Sequence, residues 1–317
     1  MPSLRPPIAL LTTLLASILL APPMPAEAKP IPKNAHVVFE ETTVYHHIMV
    51  YDLQGWRTLS FDGSEESIMQ FGNPIKSGFE YLHYFHAPFA LNPKIQRVLM
   101  VGLGGASAAK QFQTFYPRVQ IDIVELDPEV VRVAKTYFQF IPGPNTHLYT
   151  MDGRQYLKGT TATYDLILMD AYTSNPYGSF IPWQLATQEF FALAKSRLNP
   201  NGLLAYNVIG QLAGWRKTIM ASVFRTMETS FPTIYMFPAD TTRNVVMVGD
   251  FSGNRFTPEA LKVRAQQLVA AGQAPMPGFI AAIGHVYQLE SRPSAYLDSP
   301  ILRDDYAPVD GLVEGDG

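Results

Sequence analysis

The residues able to do chemistry sit at regular intervals in the middle of the chain, each at the end of an apolar run. "RVLMVGLGGASAAKQF" (Arg97–Phe112) passes from apolar residues into Gly102-Leu103-Gly104-Gly105-Ala106-Ser107. Glycine takes up positive φ and lets a ligand approach the peptide closely. About 20 residues on, Glu125 closes "QIDIVEL", the place from which an acid can accept hydrogen bonds from both hydroxyls of a ribose. Asp152-Gly153 closes "THLYTMDG", where the acid can accept from an exocyclic adenine amine. Asp170 closes "YDLILMD" directly after Leu166–Met169, and a carboxylate beside such residues is costly unless used or paired. Each feature also has a plain structural reading: a tight strand-to-helix turn, a helix cap, an Asx turn. Asp127 before Pro128 fills the cap role better than Glu125 does. The loop by itself leaves dinucleotides, S-adenosyl compounds and no ligand all open. A dinucleotide fingerprint would place its third glycine at Ser107. Three acids and a glycine loop on one rim point to a nucleoside-shaped ligand. NAD would explain Glu125 but gives no reason for Asp152 and Asp170.

These residues need elements that bring them together. The strands "RVLMVG", "QIDIVEL", "THLYTMDG", "YDLILMD" and "GLLAYNVIG" alternate with helical stretches at Ala106–Tyr116, Pro128–Phe138, Arg154–Lys158 and Pro182–Arg197. Apolar strands alternating with helices predict an α/β fold, a doubly wound parallel sheet covered on both faces. In such sheets ligands bind beyond the carboxyl ends of the strands. Upstream, "HVVFEETTVYHHIMVYDLQGWRTLSFDG" is rich in β-branched and aromatic residues and broken by Gln54-Gly55 and Asp62-Gly63. It predicts a small antiparallel hairpin unit. "KSGFEYLHYFHAPFAL" (Lys76–Leu91) carries Phe79, Leu82, Phe85 and Phe89 at helical spacing and predicts a helix. Downstream, a helix over Gly214–Ser230 leads to edge strands at "TIYMFP" and "NVVMVGD", and a last helix covers Pro258–Ala271. The expected division is 1–28, 29–75 for the β unit, 76–290 for the sheet domain and 291–317 for a tail.

Composition bounds the function. The 317 residues are 47% hydrophobic and 16% charged, enough apolar material for a large core. Net charge is −3 with no long basic run, which argues against nucleic acid as a partner. The chain has no cysteine, so disulfides, thiolate metal sites and a cysteine nucleophile are excluded. Its seven histidines show no metal-binding spacing such as HExxH, and no metal is expected. At the N-terminus, Arg5, an apolar run from Ile8 to Ala21 and Ala26-Glu27-Ala28 form the pattern of a secretory signal peptide cut after Ala28. The expected location is then extracytoplasmic, with no membrane span after cleavage. An uncleaved membrane anchor is the alternative, although the run is shorter than the ~20 residues a span needs.

The ordered motifs "DGSEES", "EYLHYFHAPFAL", "RVLMVGLGGAS", "IVELDPEVV", "MDGRQYL", "YDLILMDAYTSNP" and "GLLAYNVIG" resemble the polyamine aminopropyltransferases, the spermidine synthase family. They are closest to its divergent bacterial spermidine-synthase-like members, as is "DDYAPVD" at Asp304–Asp310. The resemblance implies a Rossmann-like sheet of the class I S-adenosylmethionine-dependent methyltransferase type. It implies transfer of an aminopropyl group from decarboxylated S-adenosylmethionine to a small-molecule amine, leaving methylthioadenosine. Gly102, Gly104, Gly105 and Gly153 would line the nucleoside, Glu125 would hold the ribose and Asp152 would meet the adenine. Asp170 would orient and deprotonate the attacking amine, with Tyr81 at the amine and sulfur end. Glu66 and Asn175 fall at substrate-binding positions. Departures gather at the amine end: Gly105 replaces a loop aspartate, Asn175 an acid, Glu66 a glutamine and His83 a glutamate. A methyltransferase using S-adenosylmethionine and a non-catalytic exported nucleoside- or polyamine-binding module therefore stay open, as does a homodimer.

Overall fold

The computed structural model describes residues 31–175, 178–210, 219–288 and 294–309. The signal-peptide pattern, the first turns of the helix expected from Gly214, and Pro176 lie outside them.

An antiparallel sheet comes first: β1 (His36–Thr42), β2 (His47–Leu53), β3 (Trp56–Phe61), β4 (Ser64–Gln70) and β5 (Asn73–Ser77), paired in that order. It is larger than the two turn signals announce. Those turns are as the sequence reads: Gln54-Gly55 and Asp62-Gly63 all have positive φ, the backbone of a two-residue hairpin turn that follows the strand twist.

The segment expected as one helix from Lys76 to Leu91 is instead the end of β5, a 3-10 turn at Glu80–His86 and the short α1 (Pro88–Leu91). Pro88 explains the break. It has no N–H to donate and its ring clashes with the carbonyl four residues earlier, so it begins a new helix.

The main sheet contains β6 (Arg97–Val101), β7 (Gln120–Glu125), β8 (Thr146–Thr150), β9 (Tyr164–Met169), β12 (Leu198–Ile209), β13 (Thr233–Pro238) and β14 (Asn244–Asp250), in the order β13-β14-β12-β9-β6-β7-β8. From β12 to β8 all neighbours are parallel. β14 is antiparallel and inserted between β12 and β13, so of the two expected edge strands only β13 is at the edge. Between β9 and β12 a small hairpin, β10 (Thr173–Asn175) and β11 (Gly178–Phe180), has no counterpart in the sequence expectations.

Helices α2 (Ser107–Phe115), α3 (Pro128–Tyr137) and α4 (Gly153–Gly159) follow β6, β7 and β8. Asp127 caps α3, accepting from the Glu129 N–H at 2.8 Å. In the stretch expected as a helix from Pro182, the helix α5 (Gln188–Ser196) starts only at its Thr187 cap, after a 3-10 turn at Trp183–Leu185. α6 (Ile219–Met227), α7 (Pro258–Ala270), α8 (Phe279–Gly284) and α9 (Ser294–Leu297) complete the chain. One apolar layer packs α1, α2, α7 and α8 on the sheet, and another packs α4, α5 and α6 on the opposite face. A third, with Ile48, Leu59, Val130 and Phe138, fastens the N-terminal sheet to α3. Among the described residues no helix is long and apolar enough to cross a membrane.

Candidate active site

The strand order reverses between β6 and β9, which opens a crevice at their carboxyl ends. A cavity of about 330 Å³ fills it, roofed by the N-terminal sheet. Gly102, Gly104, Glu125, Asp152, Gly153, Asp170, Tyr81 and Glu66 all line this cavity. Gly105 and His83 do not: Gly105 is buried behind the loop and His83 is exposed on the outside. Asn175 lies on β10 opposite Gly178, and its side chain lies outside what is described.

The glycine loop is built by close approach. Gly102 has φ of 98°, and a Cβ there would lie 2.3 Å from the Asp170 carbonyl oxygen. Only glycine lets β6 turn against the end of β9. Gly153 starts α4 against Val101, which a Cβ would meet at 2.4 Å. Gly105 is packed differently. Its N–H donates to Ser67 Oγ at 2.8 Å, and a Cβ would meet Ser67 Cβ and Phe138 Cδ1, each at 2.8 Å. The space for an acid at this position is therefore already filled.

Glu125 is buried, and its two oxygens accept from the N–H groups of Leu103 at 2.9 Å and Asp127 at 3.0 Å. Burial raises its pKa and these backbone bonds oppose the rise. The carboxylate thus fixes the loop while facing the cavity. Asp152 caps α4 through the Gln155 N–H at 2.8 Å, so its structural role is real and coexists with a place on the cavity wall.

At the other end, Asp170 accepts from Asn207 Nδ2 at 2.9 Å and from the Tyr81 hydroxyl at 3.1 Å. Burial pushes its pKa up to about 6 against the pull of those two bonds. Glu66 accepts from Ser179 Oγ at 2.5 Å, and burial, with Asp170 and Asp62 nearby, pushes it up to about 7. The Tyr81 hydroxyl is held well above its ordinary value by burial and by Asp170. Two carboxyl groups that ionise reluctantly, facing open space, form a site for a cation and can take a proton from one.

Several residues at or behind the cavity wall were not foreseen. Asn207 is a buried polar residue in the apolar strand "GLLAYNVIG", the signal that singled out Asp170. It is braced by Asn244 Nδ2 at 3.0 Å. His46 stacks on Phe61 at 4.3 Å, and its buried Nδ1 has no hydrogen-bond partner among the described residues. Val309 closes the cavity from the C-terminal segment, which is tied down where Arg154 grips Asp304 with two bonds of 2.8 and 2.6 Å. Glu80, Asp240 and His285 bring ligand atoms together elsewhere, but Glu80 is occupied by Tyr84, Asp240 N–H and Thr241.

Residues 81–247 match the spermine/spermidine synthase domain family. The chain belongs to that family. It is 35% identical over 179 residues to the polyamine aminopropyltransferase of Vibrio vulnificus, covering 54% of this chain and 58% of that one. It is 26% identical over 293 residues to a probable polyamine aminopropyl transferase of Bifidobacterium longum, covering 88% and 63%. The chain therefore spans about six-tenths of the length of these relatives. The crystal structure of a probable spermidine synthase from Corynebacterium glutamicum has the same fold, with a TM-score of 0.58 at 22% identity over 84% of this chain and 99% of that one. Glu66, Ser67 and His46 all precede the family's matched segment, so the roof of the cavity comes from outside it.

Proposed function

We propose that this chain transfers the aminopropyl group of decarboxylated S-adenosylmethionine to a small-molecule amine, releasing methylthioadenosine. The observation that carries the proposal is the placement of Asp170, a carboxylate at the end of β9, inside the cavity and oriented by Asn207 and Tyr81. An ammonium is no nucleophile until it loses a proton. Asp170, with a pKa of about 6, is ionised near neutral pH and basic enough to share that proton. The sulfonium is already a good leaving group, so positioning supplies much of the remaining rate. Glu125 holds the ribose and Asp152 the adenine amine. Glu66 faces the terminal ammonium of the aminopropyl chain; intact S-adenosylmethionine carries a carboxylate on the same carbon, which a second carboxylate on this wall disfavours. The names of the Vibrio and Bifidobacterium relatives support the same reaction.

Purified protein is supplied with decarboxylated or intact S-adenosylmethionine and a panel of amines. Methylthioadenosine formed only with the decarboxylated donor and an amine is the expected result. S-adenosylhomocysteine instead would establish methyl transfer, and neither product would favour a binding module. Export is part of the proposal: protein from the native host is expected to begin at Lys29, and a chain starting at Met1 or Pro2 would overturn it.

A further inference from the structure

The motif that begins at Asp304 has no part in the chemistry proposed above, yet its Val309 is buried in the cavity wall. The path that brings Val309 there is fixed at three points. Leu302 is buried, its carbonyl accepting from the Gln188 N–H at 2.8 Å and its N–H donating to Thr226 Oγ1 at 2.9 Å. Arg303 and Tyr306 exchange both backbone hydrogen bonds, at 2.9 and 3.0 Å, which makes a tight turn with Asp304 and Asp305 at its corners. Asp304 then accepts from two donors of Arg154, and its Oδ1 also accepts from Thr187 Oγ1 at 2.7 Å.

The partners of Asp304 belong to the nucleoside half. Arg154 follows Asp152 and Gly153 in the first turn of α4, and it also donates to the Gln184 carbonyl at 3.1 Å. Gln184 sits in the 3-10 turn Trp183–Leu185, whose three residues line the cavity. Thr187 caps α5 just beyond that turn. One carboxylate thus joins the start of α4, the 3-10 turn, the cap of α5 and the strap that carries Val309. Arg154 is buried, and a buried arginine is costly without its acid. A forked arginine–carboxylate pair also fixes direction as well as distance. The anchors Glu125 and Asp152 are held by neighbouring main chain, but this stretch of wall is held by the pair. We infer that Asp304 is a positioning residue for nucleoside binding: through Arg154 and Thr187 it holds the 3-10 turn and Val309 in place, so that the wall is formed before the ligand enters. The inference rests on the nucleoside site of the reading above. A preformed wall spares the ligand the cost of ordering it. The pair therefore acts on affinity, while the transfer step stays with Asp170, Asn207 and Tyr81.

The test is calorimetric binding of methylthioadenosine to wild type and Asp304→Ala, with KM for decarboxylated S-adenosylmethionine and kcat measured beside it. The variant is expected to bind about tenfold more weakly, the scale of ordering one or two side chains on binding. KM should rise alike while kcat stays within about twofold, the sign of binding lost without loss of the transition state's own contacts. If Asp304→Ala does not fold, Asp304→Asn keeps the size and the acceptor for Thr187, and about threefold is expected for the lost charge. Unchanged affinity with a lower melting temperature would mean a merely structural tie, and would overturn this inference while leaving the transfer reaction standing. A fall in kcat with KM unchanged would overturn it too. The binding arm needs no turnover, so failure of the transfer reaction alone leaves it readable; no binding by wild type overturns the nucleoside site and this inference together. A double variant tests the route. Val309→Ala alone is expected to weaken binding about fourfold, the scale of one buried methylene, and to add little in the Asp304→Ala background. Losses that multiply would overturn the claim that Asp304 acts through Val309.

Discussion

The nucleoside half and the amine half of the cavity are built by different means. In the nucleoside half the anchors are held by the main chain. Glu125 accepts two backbone N–H bonds, Asp152 caps α4, and Gly102 is pressed against the Asp170 peptide. In the amine half, side chains hold side chains across long stretches of sequence. Tyr81 reaches Asp170 over 89 residues, Asn207 over 37, and Ser179 meets Glu66 over 113. The first arrangement follows once the strands pair. The second needs the N-terminal sheet, the β10–β11 hairpin and β12 all docked. The comparison teaches that shape recognition here belongs to the sheet, whereas charge placement belongs to the packing around it.

Substitutions separate the two halves. The largest effect is expected from Asp170→Asn, which keeps size but removes the base: turnover falls by about 10²–10⁴-fold while methylthioadenosine binding changes little. Equal turnover would remove Asp170 from the chemistry. Next, Glu125→Ala is expected to weaken binding of an adenosyl ligand by about 2 kcal/mol, because charge-assisted bonds to the ribose are lost. It also lowers the melting temperature, since the Leu103 and Asp127 N–H groups lose their acceptor. Calorimetry and a melting curve check the two effects. Asn207→Ala is a smaller break in the amine half, about tenfold in kcat. Its distinguishing sign is the pH–rate profile: without the Asn207 bond that pulls the Asp170 pKa down, the acidic limb moves to higher pH. A purely structural role for Asn207 would leave that limb in place.

The smallest effect is on stability. Asp170 and Glu66 are raised from 3.8 to about 6 and from 4.5 to about 7. Raised carboxyl groups favour the folded state while protonated. Their contribution is fully present below the unfolded values and is lost as pH rises through about 6 and about 7. The melting temperature of the ligand-free protein should therefore drop across this window, more steeply than that of Glu66→Gln, while activity rises over the lower part of it. Parallel slopes in the two proteins would contradict the assigned burial of Glu66.

The main sheet, the loop and the acids at the strand ends were legible because each is local: an apolar run, then glycine or an acid at its end. Ser107–Phe115 and Pro128–Tyr137 fall within a residue of their expected helices. The break at Pro88 was written in the sequence but masked by the spacing of Phe79, Leu82, Phe85 and Phe89, of which Leu82 and Phe85 pack inward from a 3-10 turn as well as they would from a helix. The filling of Gly105's side by Ser67 and Phe138 was not legible, because it depends on how the N-terminal sheet settles over α3. For the same reason the sequence registered Gly105 as a lost acid, whereas the structure shows a position without space for one. Asn207 could have been found by the argument used for Asp170.

The most direct test of the division is a calorimetric titration of methylthioadenosine into wild type, Asp170→Asn and Glu125→Ala. Wild type and Asp170→Asn are expected to bind alike and Glu125→Ala about 30-fold more weakly, the equivalent of ~2 kcal/mol. No binding by wild type, or equal losses in both variants, would contradict a nucleoside site that stands independently of the amine end.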